Sequence, residues 1–289
     1  MKKVMIVGGT HGTEKIFQKV FLNLKSLPTD IVGVDEEIKI NLLISNTLAV
    51  TRGIRYLEKD LNRSFPGNPN GCFEEKLAFK LKPIVDEQDV VIDIHSTESG
   101  LKDAVILTRI TEKNLNLVRA TNAKNVLLMD LTVNNALISS AKIGIGLEFG
   151  SDNSLRAIRK TTDCIKLILN QLGSEIKVDA RATAKKRFFR ITRIINKPEG
   201  FIALDTIKNY ELVKKDEVYA YHPKTGRKLR ARTDFYPILF GEPQYEHFGF
   251  MGFLDEEIAN QINLKLKKVN VEKKEPVVFA GGWLNGLCN

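Results

Sequence analysis

The chain has 289 residues, and at roughly 150 residues per domain that length admits one or two domains. Hydrophobic residues make up 43% and charged residues 27%, which excludes a disordered or collagen-like chain, and no apolar run approaches the ~20 residues of a membrane helix. The net charge of +9 is concentrated beyond residue 175, where Lys177–Arg193 holds seven basic residues opposed only by Asp179.

Strand and helix patterns alternate through the first 175 residues. Val4–Val7 predicts a buried strand that starts at the N-terminus and runs straight into Gly8-Gly9-Thr10-His11, too short for the core of a signal peptide. A cytoplasmic location is therefore expected. Glu14–Ser26 predicts a helix, with Ile16, Phe17, Val20, Phe21 and Leu24 at helical spacing. Ile38–Ser45 reads as a second strand, Phe73–Val85 as a helix ended or kinked at Pro83, and Val90–His95 and Ala104–Thr108 as strands. Glu112–Asn122 is helical, Val126–Met129 and Ile143–Phe149 are strands, and Leu155–Leu172 is a long helix stopped by Gly173. Such alternation predicts an α/β domain with a parallel or mixed central sheet flanked by helices. Beyond Gly173, short segments such as Arg187–Ile194, Glu217–Tyr221 and Val277–Phe279 are broken by prolines and glycines. A smaller β-rich C-terminal domain over 176–289 is expected after a catalytic domain over 1–175.

In such a sheet functional groups gather at the carboxyl ends of strands. Two histidines and two carboxylates fall there: His11 and Glu14 after the first strand, His95 at the end of Val90–His95, and Glu148 at the end of Ile143–Phe149. His11 and Glu14, three apart at a helix start, can share a face and grip one ion. Alone the pair is weak evidence, since His11 would serve equally as a capping or core histidine. His95 and Glu98 repeat the spacing as a rival pair. The stretch Arg55–Gly67 is too irregular and polar for a core element, and an arginine fork with a neighbouring asparagine suits a carboxylate ligand. Three cysteines, Cys72, Cys164 and Cys288, with no CxxC pair, give neither a disulfide framework nor a cysteine zinc site.

The segments G-G-T-H-G-T-E, D-L-N-R-S-F, D-I-H-S-T and G-L-E-F-G occur in that order over about the first 150 residues. Together they resemble the aspartoacylase/succinylglutamate desuccinylase family, a branch of the zinc carboxypeptidase clan. The resemblance implies a zinc-carboxypeptidase-like fold and one Zn2+ held by His11, Glu14 and His95, the His₂Glu set of carboxypeptidase A. It implies that Glu148 is general base and then acid, that Arg55 stabilises the oxyanion, and that Asn62 and Arg63 hold the substrate carboxylate. Glu98 then becomes a loop carboxylate, because the family takes only the histidine from this strand end. The implied activity is hydrolysis of a small N-acyl amino acid, with N-acetyl-L-aspartate cleaved to acetate and L-aspartate as the first expectation. N-succinyl amino acid desuccinylation or carboxypeptidase-like cleavage stand as alternatives in the same clan.

Two features depart from the family. The arginine that aspartoacylases carry about ten residues before the catalytic glutamate is replaced by Leu137-Ile138-Ser139-Ser140. The C-terminal substrate tyrosine is expected near Ala259-Asn260 and is missing there, leaving Tyr236 and Tyr245 as substitutes. The expected partner is a small molecule and a homodimer is left open. A basic nucleic-acid-binding role for Lys177–Arg193 is the remote alternative, for it lacks interleaved aromatics beyond Phe188 and Phe189.

Overall fold

A computed structural model describes residues 1–25, 30–32, 37–132, 134–173 and 185–266. The main chain builds β1 (Lys2–Gly8), α1 (Ile16–Leu24), β2 (Asp30–Val32), β3 (Glu37–Ile44), α2 (Thr47–Arg52), α3 (Phe73–Asp86), β4 (Val90–His95) and β5 (Ala104–Leu107). It continues through α4 (Glu112–Ala120), β6 (Asn125–Leu128), β7 (Gly144–Glu148), α5 (Leu155–Gln171), β8 (Arg187–Ile195), β9 (Ile202–Ala203) and β10 (Val218–Tyr221). The last elements are β11 (Lys228–Arg230), β12 (Tyr236–Ile238), β13 (Gly249–Leu254) and α6 (Glu256–Leu266).

Ten strands form one mixed sheet in the order β12-β13-β8-β6-β5-β7-β4-β1-β3-β2. The centre is parallel: β1 pairs with β3 on one side and β4 on the other, and β4 pairs with β7. The segment after residue 175 is strand-rich where described, but it does not stand apart from this sheet. Its β8 pairs parallel with β6, and β13 and β12 follow antiparallel, while β9, β10 and β11 make a separate three-stranded sheet. Val277–Phe279 lies outside the described residues.

The period-two alternation of the central strands decides what faces where. Val4 and Ile6 of β1, Val90, Ile92 and Ile94 of β4, and Ile145 and Leu147 of β7 enter one core, covered by apolar stripes of α1, α4, α5 and α6. Met5, Val7 and Val91 face the other side, under Ala78, Leu81 and Val85 of α3. Asp93 and His95 share this second face with Val91. Gly146 and Glu148 share it too, because His95 and Glu148 are direct parallel neighbours.

Three local expectations are corrected. α1 begins at Ile16, so His11 and Glu14 sit in the preceding turn, closed by Glu14 N donating to His11 O at 3.1 Å, rather than on the helix. Asp152 sets that start by accepting from the Lys15 and Ile16 amides at 2.9 and 2.8 Å. α3 covers Phe73–Asp86, within one residue of the expected Phe73–Val85, and Pro83 lies inside it, which excludes the end though not the kink expected there. The Arg55–Gly67 stretch is not wholly polar loop: Leu61 and Phe65 are buried in the second core.

Candidate active site

The turn after β1 needs its glycines. A Cβ on Gly12 would lie 2.2 Å from the Ala49 carbonyl carbon, so only glycine lets this turn close on α2. Gly12 N then donates to Arg55 O at 3.0 Å, which brings the arginine over His11.

His11, Glu14 and His95 converge. Their candidate ligand atoms lie within 4.8 Å of one another and all three side chains are buried. Glu14 sits between the rings, with Oε1 2.7 Å from His11 Nδ1 and Oε2 2.9 Å from His95 Nδ1. The far nitrogens have their own carboxylates: His11 Nε2 is 3.1 Å from Asp60, and His95 Nε2 is 2.8 Å from Asp93. Asp93 is anchored in turn by the Thr10 hydroxyl at 2.8 Å. A carboxylate behind each imidazole is the outer arrangement that orients histidines toward a metal. The donor set and its outer partners thus fit a group able to hold one metal ion.

The electrostatics follow from crowding opposite charges in a dry place. Burial opposes charge on His95, but Asp93 and Glu14 outweigh it and hold the imidazole well above its ordinary range. His11 is raised in the same sense, with Glu14 overcoming burial. Burial likewise opposes charge on Glu14, yet the two histidines hold it well below the carboxylate range. Glu148 goes the other way. Burial, reinforced by the Glu14 charge, pushes it well above that range, and its Oε1 has no hydrogen-bond partner among the described residues. A buried acceptor without a partner marks a place where another group is expected.

Arg55 donates to Glu14 at 3.2 Å and its guanidinium lies over the Tyr245 ring, 5.4 Å from the centroid. Asn62 and Arg63 lie on one 3₁₀ turn, Leu61–Arg63, capped by Asp60 accepting from Asn62 N at 2.8 Å. Arg63 donates to the Asn62 carbonyl at 2.8 Å. All seven residues expected from the sequence line one cavity: His11, Glu14, Arg55, Asn62, Arg63, His95 and Glu148. Glu98 does not; it is exposed, and only its amide turns inward, to Glu242.

Sequence reasoning missed three members, Asp60, Asp93 and Glu242, and had named Tyr245 as a substitute. Asp60 and Asp93 stand inside the quoted motifs D-L-N-R-S-F and D-I-H-S-T, so their signal was present. Glu242 is buried and accepts from the Thr97 hydroxyl and from the Glu98 and Ser99 amides, which ties the C-terminal segment to the end of β4. Tyr245 lines the cavity. Ala259 lies on α6 and faces the first core, Tyr236 packs edge-on against Phe189, and of the two substitutes Tyr245 lines the cavity. A second acidic cluster, Glu58, Cys72 and Glu74, is already consumed by the backbone: Glu74 accepts the amides of Leu57, Glu58 and Lys59.

Residues 1–171 match the succinylglutamate desuccinylase/aspartoacylase catalytic domain, and the chain belongs to that family. A probable aspartoacylase of Prochlorococcus marinus subsp. pastoris is 28% identical over 90% of this chain and 96% of its own length. An N-acyl-aromatic-L-amino acid amidohydrolase (carboxylate-forming) of Xenopus laevis is 28% identical, over 52% of this chain and 55% of its own length. Among solved structures, murine aminoacylase 3 aligns with a TM-score of 0.70 over 88% of this chain and 95% of that one, at 17% identity, and so shares the fold.

Proposed function

We propose that this chain is a zinc-dependent amidohydrolase that cleaves an N-acyl amino acid into a carboxylate and a free amino acid. The observation that carries the reading is the convergence of His11, Glu14 and His95 beside a buried Glu148 whose carboxylate oxygen has no partner. The names of the relatives support the same class. His11, Glu14 and His95 would hold Zn2+, which when bound lowers the pKa of a coordinated water to ~7.

The protein's own groups do the rest. Glu148 takes a proton from the attacking water and returns it to the nitrogen of the breaking amide, so the amine leaves neutral. Its raised proton affinity suits the second task, and the burial that causes it also keeps bulk water from the transfer. Arg55 donates to the oxygen that gains negative charge in the tetrahedral intermediate, a role worth roughly 3–4 kcal/mol. Asn62 and Arg63 hold the substrate's α-carboxylate, the arginine as a planar fork. Tyr245, under the Arg55 guanidinium, limits where that arginine can point.

The test is Glu148→Gln in the zinc-loaded protein, assayed on a panel of N-acyl amino acids with metal content measured alongside. Turnover should fall about 10²–10⁴-fold with zinc retained. Turnover that survives the change would show that Glu148 is not the proton carrier. Dipeptides and N-succinyl amino acids belong in the panel, since peptidase and desuccinylase activities are the alternatives within this fold. No helix among the described residues is long and apolar enough to cross a membrane. Within the described part of the basic stretch Lys186 is buried, Arg187 stacks over Phe189 and Tyr210, and Arg190 pairs with Asp255, while Lys185 and Arg193 are exposed.

A further inference from the structure

The cavity has two unlike halves. One carries the histidines, Glu14, Glu148 and the Arg55–Arg63 turn. The other is a wall of Ile106, Met129, Ala136, Ile138, Leu239 and Phe250. Met129, the 136–138 segment, Leu239 and Phe250 join Ile106 of β5 in that wall, and strand alternation places Ile106 on the Glu148 face, opposite Gly146.

The wall lies on a definite side of the substrate. Asn62 Oδ1 accepts from the Leu137 amide at 3.0 Å, and the Phe65 amide donates to Asn135 O at 3.1 Å. Residues 135–138 are thereby stitched alongside the Asn62-Arg63 turn assigned to the α-carboxylate. Gly144 lets this segment sit close on β7, since a Cβ there would fall 1.9 Å from the Ile138 carbonyl oxygen. An amino acid's side chain branches from the carbon that bears its α-carboxylate. With the α-carboxylate on that turn, Ala136 and Ile138 are the part of the wall that stands beside the side chain.

That wall offers no cation for a second carboxylate, only the Thr108 hydroxyl two residues beyond Ile106. The guanidiniums lining the cavity are Arg55 and Arg63. Arg55 is engaged with Glu14 and, at 3.7 Å, with Asp60, and Arg63 serves the α-carboxylate in the reading above. Arg109 is directed to the Ala141 carbonyl and does not line the cavity. An aspartyl or glutamyl carboxylate would lose its water against isoleucine and methionine and gain no countercharge.

We propose that this chain acts on N-acyl amino acids whose side chain is apolar, of the leucine, methionine or phenylalanine kind, and rejects aspartate and glutamate. The proposal rests on the amidohydrolase reading above and narrows it: water adds to the acyl carbon, the C–N bond breaks, and the leaving nitrogen takes a proton, giving a carboxylate and a free apolar amino acid. N-acetyl-L-aspartate, the first expectation from the sequence, becomes a poor substrate.

The experiment compares kcat/KM of the zinc-loaded full chain for the N-acetyl derivatives of leucine, methionine, phenylalanine, aspartate and glutamate, and for N-octanoyl-leucine. The apolar substrates should exceed the acidic ones by about 100-fold. Calorimetric titration of zinc-loaded Glu148→Gln should show heat with N-acetyl-leucine and none with N-acetyl-aspartate. Ile138→Arg should move the ratio at least about tenfold toward aspartate with zinc content unchanged. Aspartate or glutamate derivatives turned over within tenfold of the apolar ones would overturn the proposal, as would a rate that follows acyl length and ignores the side chain. If every N-acyl amino acid is inert while dipeptides are cleaved, the amidohydrolase reading itself fails, and the proposal with it.

Discussion

Glu74 anchors the loop that delivers Arg55 and Asp60. It is fully buried, and its two oxygens accept from Leu57 N at 2.7 Å, Glu58 N and Lys59 N at 3.1 Å, and the Asn46 side-chain amide at 3.3 Å. Glu74→Gln keeps the shape but replaces one acceptor oxygen with an amide that only donates. In either orientation two of the four donors then face a donor. A hydrogen bond to a charged acceptor contributes about 1.5–3 kcal/mol, so two lost bonds set an upper range of about 3–6 kcal/mol. Glu58 and Lys59 are exposed and their amides can turn to water, which lowers the expectation to about 2 kcal/mol. Loosening residues 57–60 also shifts Arg55 and Asp60, and a displacement near 1 Å costs roughly 100-fold in rate. Urea denaturation of Glu74→Gln should therefore show about 2 kcal/mol of lost stability, and kcat/KM should fall by about 10- to 100-fold. Zinc content should fall less than activity, because Glu74 touches none of the three candidate ligands and reaches His11 only through Asp60. Asp86→Asn, which breaks the exposed Lys82 pair, is the control and should stay within about 0.5 kcal/mol. A Glu74→Gln protein as stable and active as the parent would refute the anchoring argument.

Two further predictions concern protons. Lys186 is buried, donates to the carbonyls of Thr121 and Ala123 at 2.8 and 3.0 Å, and burial lowers its pKa to about 8 from 10.5. Between those values the unfolded chain binds more protons, so this group's contribution rises with pH; below pH 8 the penalty, about 3 kcal/mol, stands in full. The stability difference between the parent and Lys186→Met should move by about that amount in the parent's favour from pH 7.5 to 10.5, and a pH-independent difference in denaturation midpoints would falsify the account. At the metal site, His11 and His95 hold their protons more tightly than free imidazoles, and ligation must displace them. Zinc uptake by the chelator-stripped protein should weaken by at least about tenfold from pH 8 to pH 6, with protons released on binding. Calorimetry in two buffers of different ionisation heat measures the release, and equal heats in both would contradict it.

Much of the site was legible because its signals are local. Val4–Val7, Val90–His95 and Ile143–Phe149 are apolar runs bounded by polar residues, and each delivers a functional group at its carboxyl end. His11, Glu14, Arg55, Asn62 and Arg63 lie in short motifs whose order alone suggested a common role. The helix spacing of Ile16, Phe17, Val20, Phe21 and Leu24 described the buried stripe of α1 correctly. The start of α1 was misread because a remote group decides it, Asp152 capping the helix from 136 residues away, whereas Phe73–Val85 matched α3 to within one residue.

What the chain alone determined is therefore which donor types and charges stand at the strand ends, since these are properties of neighbouring residues. Only the three-dimensional packing decided the shape around that chemistry. Tyr245 and Glu242 reach the cavity through pairings of β8, β12 and β13 onto the large sheet, and Leu239 and Phe250 arrive by the same route to complete the apolar wall. Those approaches are sums of many weak contacts between segments distant in the chain, Thr97 and Glu242 being 145 residues apart, and no short window of sequence contains them.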